Sequence, residues 1–146
     1  MFKNLGDGRF EQLSENKKLF VNLEQAKTCD SRFFDFDNDG YLDILVTGEA
    51  AKDNGFGMFL FHNDGIDKFS DVSHLLPEKF RSGRQLSLFD YNDDGDLDVL
   101  VAGISGGVCL LRNDGGSANH FLNMKLVGLR TGSAKNNYFG IGAKVE

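Results

Sequence analysis

One segment of this chain is written twice, and that constrains the fold more than any other feature. Phe34–Gly48 reads FDFDNDGYLDILVTG, and 55 residues later Phe89–Gly103 reads FDYNDDGDLDVLVAG, with nine of fifteen positions identical. Most mismatches are conservative, as in Phe36 against Tyr91, Asp37 against Asn92 and Ile44 against Val99, so the same local structure is expected twice. A second element follows each copy: Leu60–Gly65 (LFHNDG) corresponds to Leu110–Gly115 (LLRNDG) at an offset of 50. The second copy is therefore five residues shorter between the two elements, and Glu49–Gly57 forms the longer loop. A third echo opens the chain, where Phe2–Phe10 (FKNLGDGRF) resembles Phe61–Phe69 (FHNDGIDKF), so the chain is expected to start in mid-repeat.

Between the repeated turns lie short β-branched and leucine-rich runs. Tyr41–Thr47 and Asp96–Ala102 end at Gly and show little strict alternation beyond their first residues, which predicts strands buried on both faces. Asp-Gly pairs at 7–8, 39–40, 64–65, 94–95 and 114–115 supply hairpin turns. Strands are expected near 31–36, 41–47, 56–62, 68–73, 85–91, 96–102, 107–112 and 120–128, with room for one helical turn between Leu75 and Arg81. Eighteen Gly, fourteen Phe, a single Pro (Pro77) and no Trp suit tight turns between aromatic-rich strands. The fold class is all-β, as four-stranded antiparallel blades of the propeller type. A chain of 146 residues is too short for a six- or seven-bladed ring, so about two to two and a half blades with a short β tail are expected. The organisation that follows is an outer hairpin and linker over 1–29, one full repeat over 30–80, a second, incomplete repeat over 81–116, and a distinct tail over 117–146.

The chemistry is concentrated in two acidic windows. The formal charge is −6, and nine of sixteen Asp fall within 35–43 and 90–98. Without them the balance would be positive, so the acidity is local and points to cation sites. Each window reads Asp-x-(Asp/Asn)-x-Asp-Gly-x-x-Asp, with oxygen donors at loop positions 1, 3, 5 and 9 and Gly at 6, where the chain turns sharply. The first ligand set is Asp35, Asp37, Asp39 and Asp43 with the Tyr41 carbonyl at position 7; the second is Asp90, Asn92, Asp94 and Asp98 with the Asp96 carbonyl. Calcium suits such an array, because it accepts six to eight oxygens at about 2.3–2.6 Å in irregular geometry. Magnesium demands a stricter octahedron, and zinc is disfavoured because neither window contains His or Cys. An EF-hand needs Glu at position 12 and a helix after it, whereas position 12 is Val46 or Val101 within a β-type run. Dockerin-type loops fail the same test, and thrombospondin-type acidic repeats are denser in Asp and rich in Cys. Ordinary Asx turns could account for one loop but poorly for the same four positions twice. Two Ca2+ sites are expected.

Net acidity argues against nucleic acid, and no apolar run reaches the roughly 18 residues of a membrane span, so no membrane insertion is expected. Gly103–Gly107 matches the Gly-x-Ser-x-Gly nucleophile pattern, but Val108–Leu111 reads as a strand where an elbow needs a helix, which leaves Ser105 without a catalytic role. His62, His74 and His120 share no spacing and read as surface or hairpin residues; His62 aligns with Arg112. Phe34, Phe36, Phe59, Phe61, Phe89 and Tyr91 read as aromatics that pack blades together. Cys29 and Cys109 could pair or stay free.

Both windows, with the apolar run and Gly after each, resemble FG-GAP or VCBS-type repeats, the calcium-loop blades of integrin α-subunit propellers and many bacterial secreted proteins. The Phe-x-Asn-x-Gly-x-x-Phe elements are similar to the outer hairpins of such blades. Asn119–Gly128 and Gly140–Val145 resemble the start of the ASPIC/UnbV domain, which follows such repeats in cartilage acidic protein, although Arg130–Phe139 is longer than that pattern. The resemblance implies a calcium-binding module of an extracellular, cell-surface or periplasmic protein, not itself an enzyme, with adhesion-like contacts to a protein or glycan. The competing expectation is an accessory or catalytic part of a bacterial natural-product or polysaccharide-processing enzyme. A partial propeller also leaves strand edges open, which invites self-association.

Overall fold

In the computed structural model the described residues are 2–12, 19, 23, 26–50, 57–65, 68–77, 82–116, 124, 125, 127 and 128. The strands form where β-branched, leucine and phenylalanine residues cluster, and they stop where the acidic and glycine-rich turns begin. Strands β1 (Phe2–Gly6) and β2 (Arg9–Gln12) make a two-stranded hairpin, turned through Asp7 and Gly8 at positive φ. Strands β3 (Ala26–Phe34), β4 (Asp43–Ala50), β5 (Met58–Asn63) and β6 (Phe69–Asp71) form a four-stranded antiparallel meander. Strands β7 (Gln85–Phe89), β8 (Asp98–Ala102) and β9 (Val108–Leu111) form a three-stranded one in the same order. The fold is all-β, and among the described residues no helix is long and apolar enough to cross a membrane.

The expected strands recur with shifted ends. Strand β4 starts at Asp43 and not at Tyr41, and β8 starts at Asp98 and not at Asp96, because the two residues before each strand still belong to the acidic loop. The helical turn is a 3₁₀ turn at Ser73–Leu75, earlier than expected; Leu76 is extended, as a residue before Pro77 must be. The strand expected over 120–128 falls mostly outside the described residues.

Two apolar layers flank the four-stranded sheet. Strand β4 sends Leu45 to one face and Ile44 and Val46 to the other, and β5 divides Met58 and Leu60 from Phe59 and Phe61 in the same way. Phe34, Leu45, Met58 and Leu60 meet Leu86, Val99 and Val101 of the three-stranded sheet, so one core lies between the two blades. The opposite face of the first blade gathers Ile44, Val46, Phe59, Phe61 and Phe69, with Leu19 and Leu23 packed on it. Burial on both faces explains why these strands lack polar alternation. The blades are also tied by hydrogen bonds: Leu86 N donates to Asp30 Oδ2 at 2.9 Å and Gly83 N to Gly48 O at 3.2 Å.

The aromatic expectation divides by copy. Phe34, Phe59 and Phe61 are buried, and Phe36 packs against the core between the blades. The second-copy counterparts of Phe34 and Phe36, Phe89 and Tyr91, are 40% and 46% exposed and belong to neither apolar cluster. Cys29 and Cys109 are both free thiols. Gly103–Gly107 is the β8–β9 hairpin turn, closed by Gly103 N to Gly107 O at 3.0 Å and followed by a strand.

Candidate metal centres

Each acidic window is a hairpin connection. Phe34 pairs with Asp43 across β3 and β4, and Phe89 pairs with Asp98 across β7 and β8, so both loops are closed at the same register. Within each loop the carboxylates first satisfy the backbone. Asp35 accepts from Asp39 N and Gly40 N at 3.0 and 2.9 Å, and Asp90 accepts from Asp94 N and Gly95 N at 3.2 and 2.8 Å. The position-5 carboxylate then caps position 7: Tyr41 N donates to Asp39 Oδ1 at 2.8 Å and Asp96 N to Asp94 Oδ1 at 2.9 Å. Position 4 is left-handed in both copies (Asn38 φ 57°, Asp93 φ 59°), and the glycine at position 6 has φ 91° in both. That last value is one an L side chain resists, and it turns the loop back on itself.

The closing Asp of each loop is fully buried. Asp43 accepts from Phe36 N at 3.0 Å and from Asn63 N at 2.7 Å, and Asp98 accepts from Tyr91 N at 3.0 Å and from Asn113 N at 2.8 Å. One carboxylate thus anchors three pieces: its own strand, the start of the loop and the outer hairpin. Burial raises the Asp43 pKa above the ordinary carboxylate value, against the lowering influence of the Asn63 and Phe36 amides and of His62, while Asp37 adds to the rise. Carboxylate oxygens of Asp35, Asp37 and Asp43 lie within 4.8 Å of one another. A divalent cation at that point would relieve the crowding of charge that burial makes costly.

The second loop departs from the first in two places. Asn92 at position 3 donates through Nδ2 to Asp94 Oδ2 at 2.6 Å. Asp96, expected only as a backbone carbonyl donor, has its side chain 1% exposed: Oδ1 accepts from Asn38 Nδ2 of the first loop at 2.8 Å, and Oδ2 is buried without a hydrogen-bond partner. Asn38 Nδ2 also donates to Gly116 O, and Asn113 Nδ2 donates to Phe36 O at 2.6 Å. The two loops are therefore neighbours, linked by side-chain amides across the blade interface. The outer-hairpin asparagines were legible as a repeated Asn-Asp-Gly turn, but their role in holding the closing Asp emerges only in three dimensions.

The residue that sequence spacing missed is His62. It lies on β5, yet its Nε2 is 3.3 Å from Asp37 Oδ2 and 3.4 Å from Asp39 Oδ2, so it belongs to the first loop and is not a bystander of the hairpin. Burial works to lower the His62 pKa, but Asp64, Asp43, Asp37 and Asp39 together outweigh it, and the net shift is upward. Its counterpart Arg112 is held at Asp114, with Nε at 3.0 Å and Nη2 at 2.8 Å from Oδ2, and its pKa is raised by Asp114 and by Tyr91.

One family match runs from the first acidic residue of one loop into the strand after the other. Residues 35–101 match the family model described as an FG-GAP-like repeat. The FG-GAP-like match thus spans both acidic loops, strands β4 to β7 and most of β8, and the antiparallel sheets are consistent with such repeat blades. It does not extend to residues 117–146. No curated protein and no solved structure matches the chain.

Proposed function

We propose that this chain is a calcium-stabilised, propeller-type interaction module of a secreted or cell-surface protein, with one cation in each acidic hairpin loop and a protein or glycan partner at the blade surface. A single observation carries the reading: two loops 55 residues apart repeat one hydrogen-bond scaffold, with position 1 capping positions 5 and 6, position 5 capping 7, and a buried position 9 holding position 2 and the outer hairpin. Backbone capping of this kind orders both loops before any ion arrives, and in the first it leaves oxygens of Asp35, Asp37 and Asp43 within 4.8 Å of one another, which lowers the ordering cost of binding. Extracellular calcium near the millimolar range fills sites with dissociation constants of roughly 10⁻⁴ to 10⁻³ M. The sequence of 117–146 keeps its resemblance to an ASPIC/UnbV tail as part of the same reading.

Thermal unfolding in EGTA and then at rising calcium tests the proposal, with an Asp35→Asn, Asp90→Asn double variant as the comparison. A saturable rise in Tm that the variant lacks supports it; at a calcium level 100 times the dissociation constant, each site contributes about 2.7 kcal/mol. The reading is wrong if calcium leaves both proteins unmoved.

A further inference from the structure

The two loops share a scaffold but not a set of donors. In the second loop the position beside the carboxylates is taken by Arg112, which carries no lone pair and is turned to Asp114. In the first loop the same position is His62, and two contacts fix its ring, one of them itself held by a serine. Nδ1 lies 3.0 Å from Asp64 Oδ1, Asp64 Oδ1 is also 3.2 Å from Ser70 Oγ, and the edge of Phe36 meets the imidazole at 77° with centroids 5.7 Å apart. A carboxylate on one imidazole nitrogen orients the ring and selects the tautomer in which the other nitrogen offers its lone pair, the arrangement found around metal-bound histidines. That other nitrogen, Nε2, is buried and faces Asp37 and Asp39 at 3.3 and 3.4 Å, longer than the roughly 2.7–2.9 Å of a charge-assisted hydrogen bond. Donor atoms of Asp37, Asp39 and His62 all fall within 4.8 Å of one another.

We propose that the first loop is a mixed nitrogen and oxygen site in which His62 Nε2 joins Asp37 and Asp39, so that it selects zinc-class divalent cations over calcium, whereas the all-oxygen second loop does not. The inference rests on the reading of the loops as cation sites and refines it. Imidazole is a good ligand for zinc and for cobalt, its spectroscopic stand-in, while calcium takes oxygen almost exclusively. Asp64 acts as the positioning residue, since it reaches the cation only through the ring.

The test uses the full chain carrying Cys29→Ser and Cys109→Ser, which removes the thiols as competing zinc ligands, without a histidine tag. Cobalt is titrated in the presence of millimolar calcium and followed by its visible absorption, then displaced by zinc, with calcium stabilisation measured separately by Tm. One equivalent of cobalt should bind with a nitrogen-ligand spectrum and resist calcium. His62→Gln should weaken cobalt and zinc at least about tenfold, and Asp64→Asn by roughly tenfold, while the part of the calcium-induced rise in Tm that the second loop supplies is kept. The proposal is overturned if His62→Gln leaves cobalt affinity unchanged, or if it strengthens binding, the result expected of an imidazolium that merely pairs with the empty loop. In either case a surviving calcium response leaves the cation reading intact. If neither calcium, cobalt nor zinc stabilises the parent protein, both readings fall together.

Discussion

Asn63 and Asn113 occupy equivalent positions in the repeated Asn-Asp-Gly turn, yet the structure gives their side chains different work, and truncating each to alanine should cost a similar amount through different bonds. The backbone amides of both hold the closing Asp and are untouched by Asn→Ala. Asn63 Nδ2 donates to Leu42 O at 3.1 Å in an exposed bond inside its own blade. Asn113 Nδ2 donates to Phe36 O at 2.6 Å in a partly buried bond that crosses to the other blade. Each Oδ1 also accepts from the glycine two residues on, at 3.1 Å. An exposed bond replaced by water costs about 0.5 kcal/mol, whereas an acceptor orphaned in a partly buried interface costs nearer 1.5 kcal/mol. Of the glycine bonds, the one to Asn63 is partly buried and the one to Asn113 exposed, so each Asn→Ala gives up one bond of each kind and should lose about 2 kcal/mol. Urea unfolding in calcium reads this directly, as a similar fall in midpoint for both variants at an unchanged slope. A loss for Asn113→Ala below about 0.5 kcal/mol would refute the claim that this amide ties the blades.

Leu45, 1% exposed in the core between the blades, should cost about 2–5 kcal/mol as Leu45→Ala, checked by denaturant titration of the same kind. Gly40→Ala should cost about 1–2 kcal/mol through backbone conformation alone, since at φ 91° an added Cβ meets nothing within 4 Å; the loss should appear in Tm with or without calcium. In EGTA the protein should lose stability as pH rises from about 6.5 through the elevated His62 pKa, because a group whose folded pKa is raised stabilises the fold below its unfolded value and gives that up above. His62→Gln should flatten that limb of the Tm profile, and an unchanged slope would show that the carboxylates do not hold the imidazolium.

Whatever depended on neighbours along the chain could be read from the sequence. The strands, the hairpin turns, the burial of β4 on both faces and the two sets of acidic residues follow from propensity, local spacing and repetition, and a repeat multiplies each weak local signal, whereas β8 buries Val99 and Val101 on one face and only partly covers Leu100 on the other. The exact strand starts could not be read so, because Tyr41, Leu42, Asp96 and Leu97 have strand-like neighbours while the amides of Tyr41 and Asp96 are bonded to Asp39 and Asp94 inside the loops. The contacts that cross from one strand or blade to another were decided by the tertiary structure alone. It brought His62 from β5 to a loop some twenty residues earlier, and it gave Asn38 a partner in Asp96, 58 residues away. It also buried Phe34 while leaving its twin Phe89 at the surface. The physical reason is that a carboxylate's spacing along a turn is set by covalent geometry, whereas the identity of the atom facing it across a sheet is set by strand register and by which face of the next blade is packed against it. Two copies of one motif therefore share a scaffold by sequence and acquire different chemistry by position.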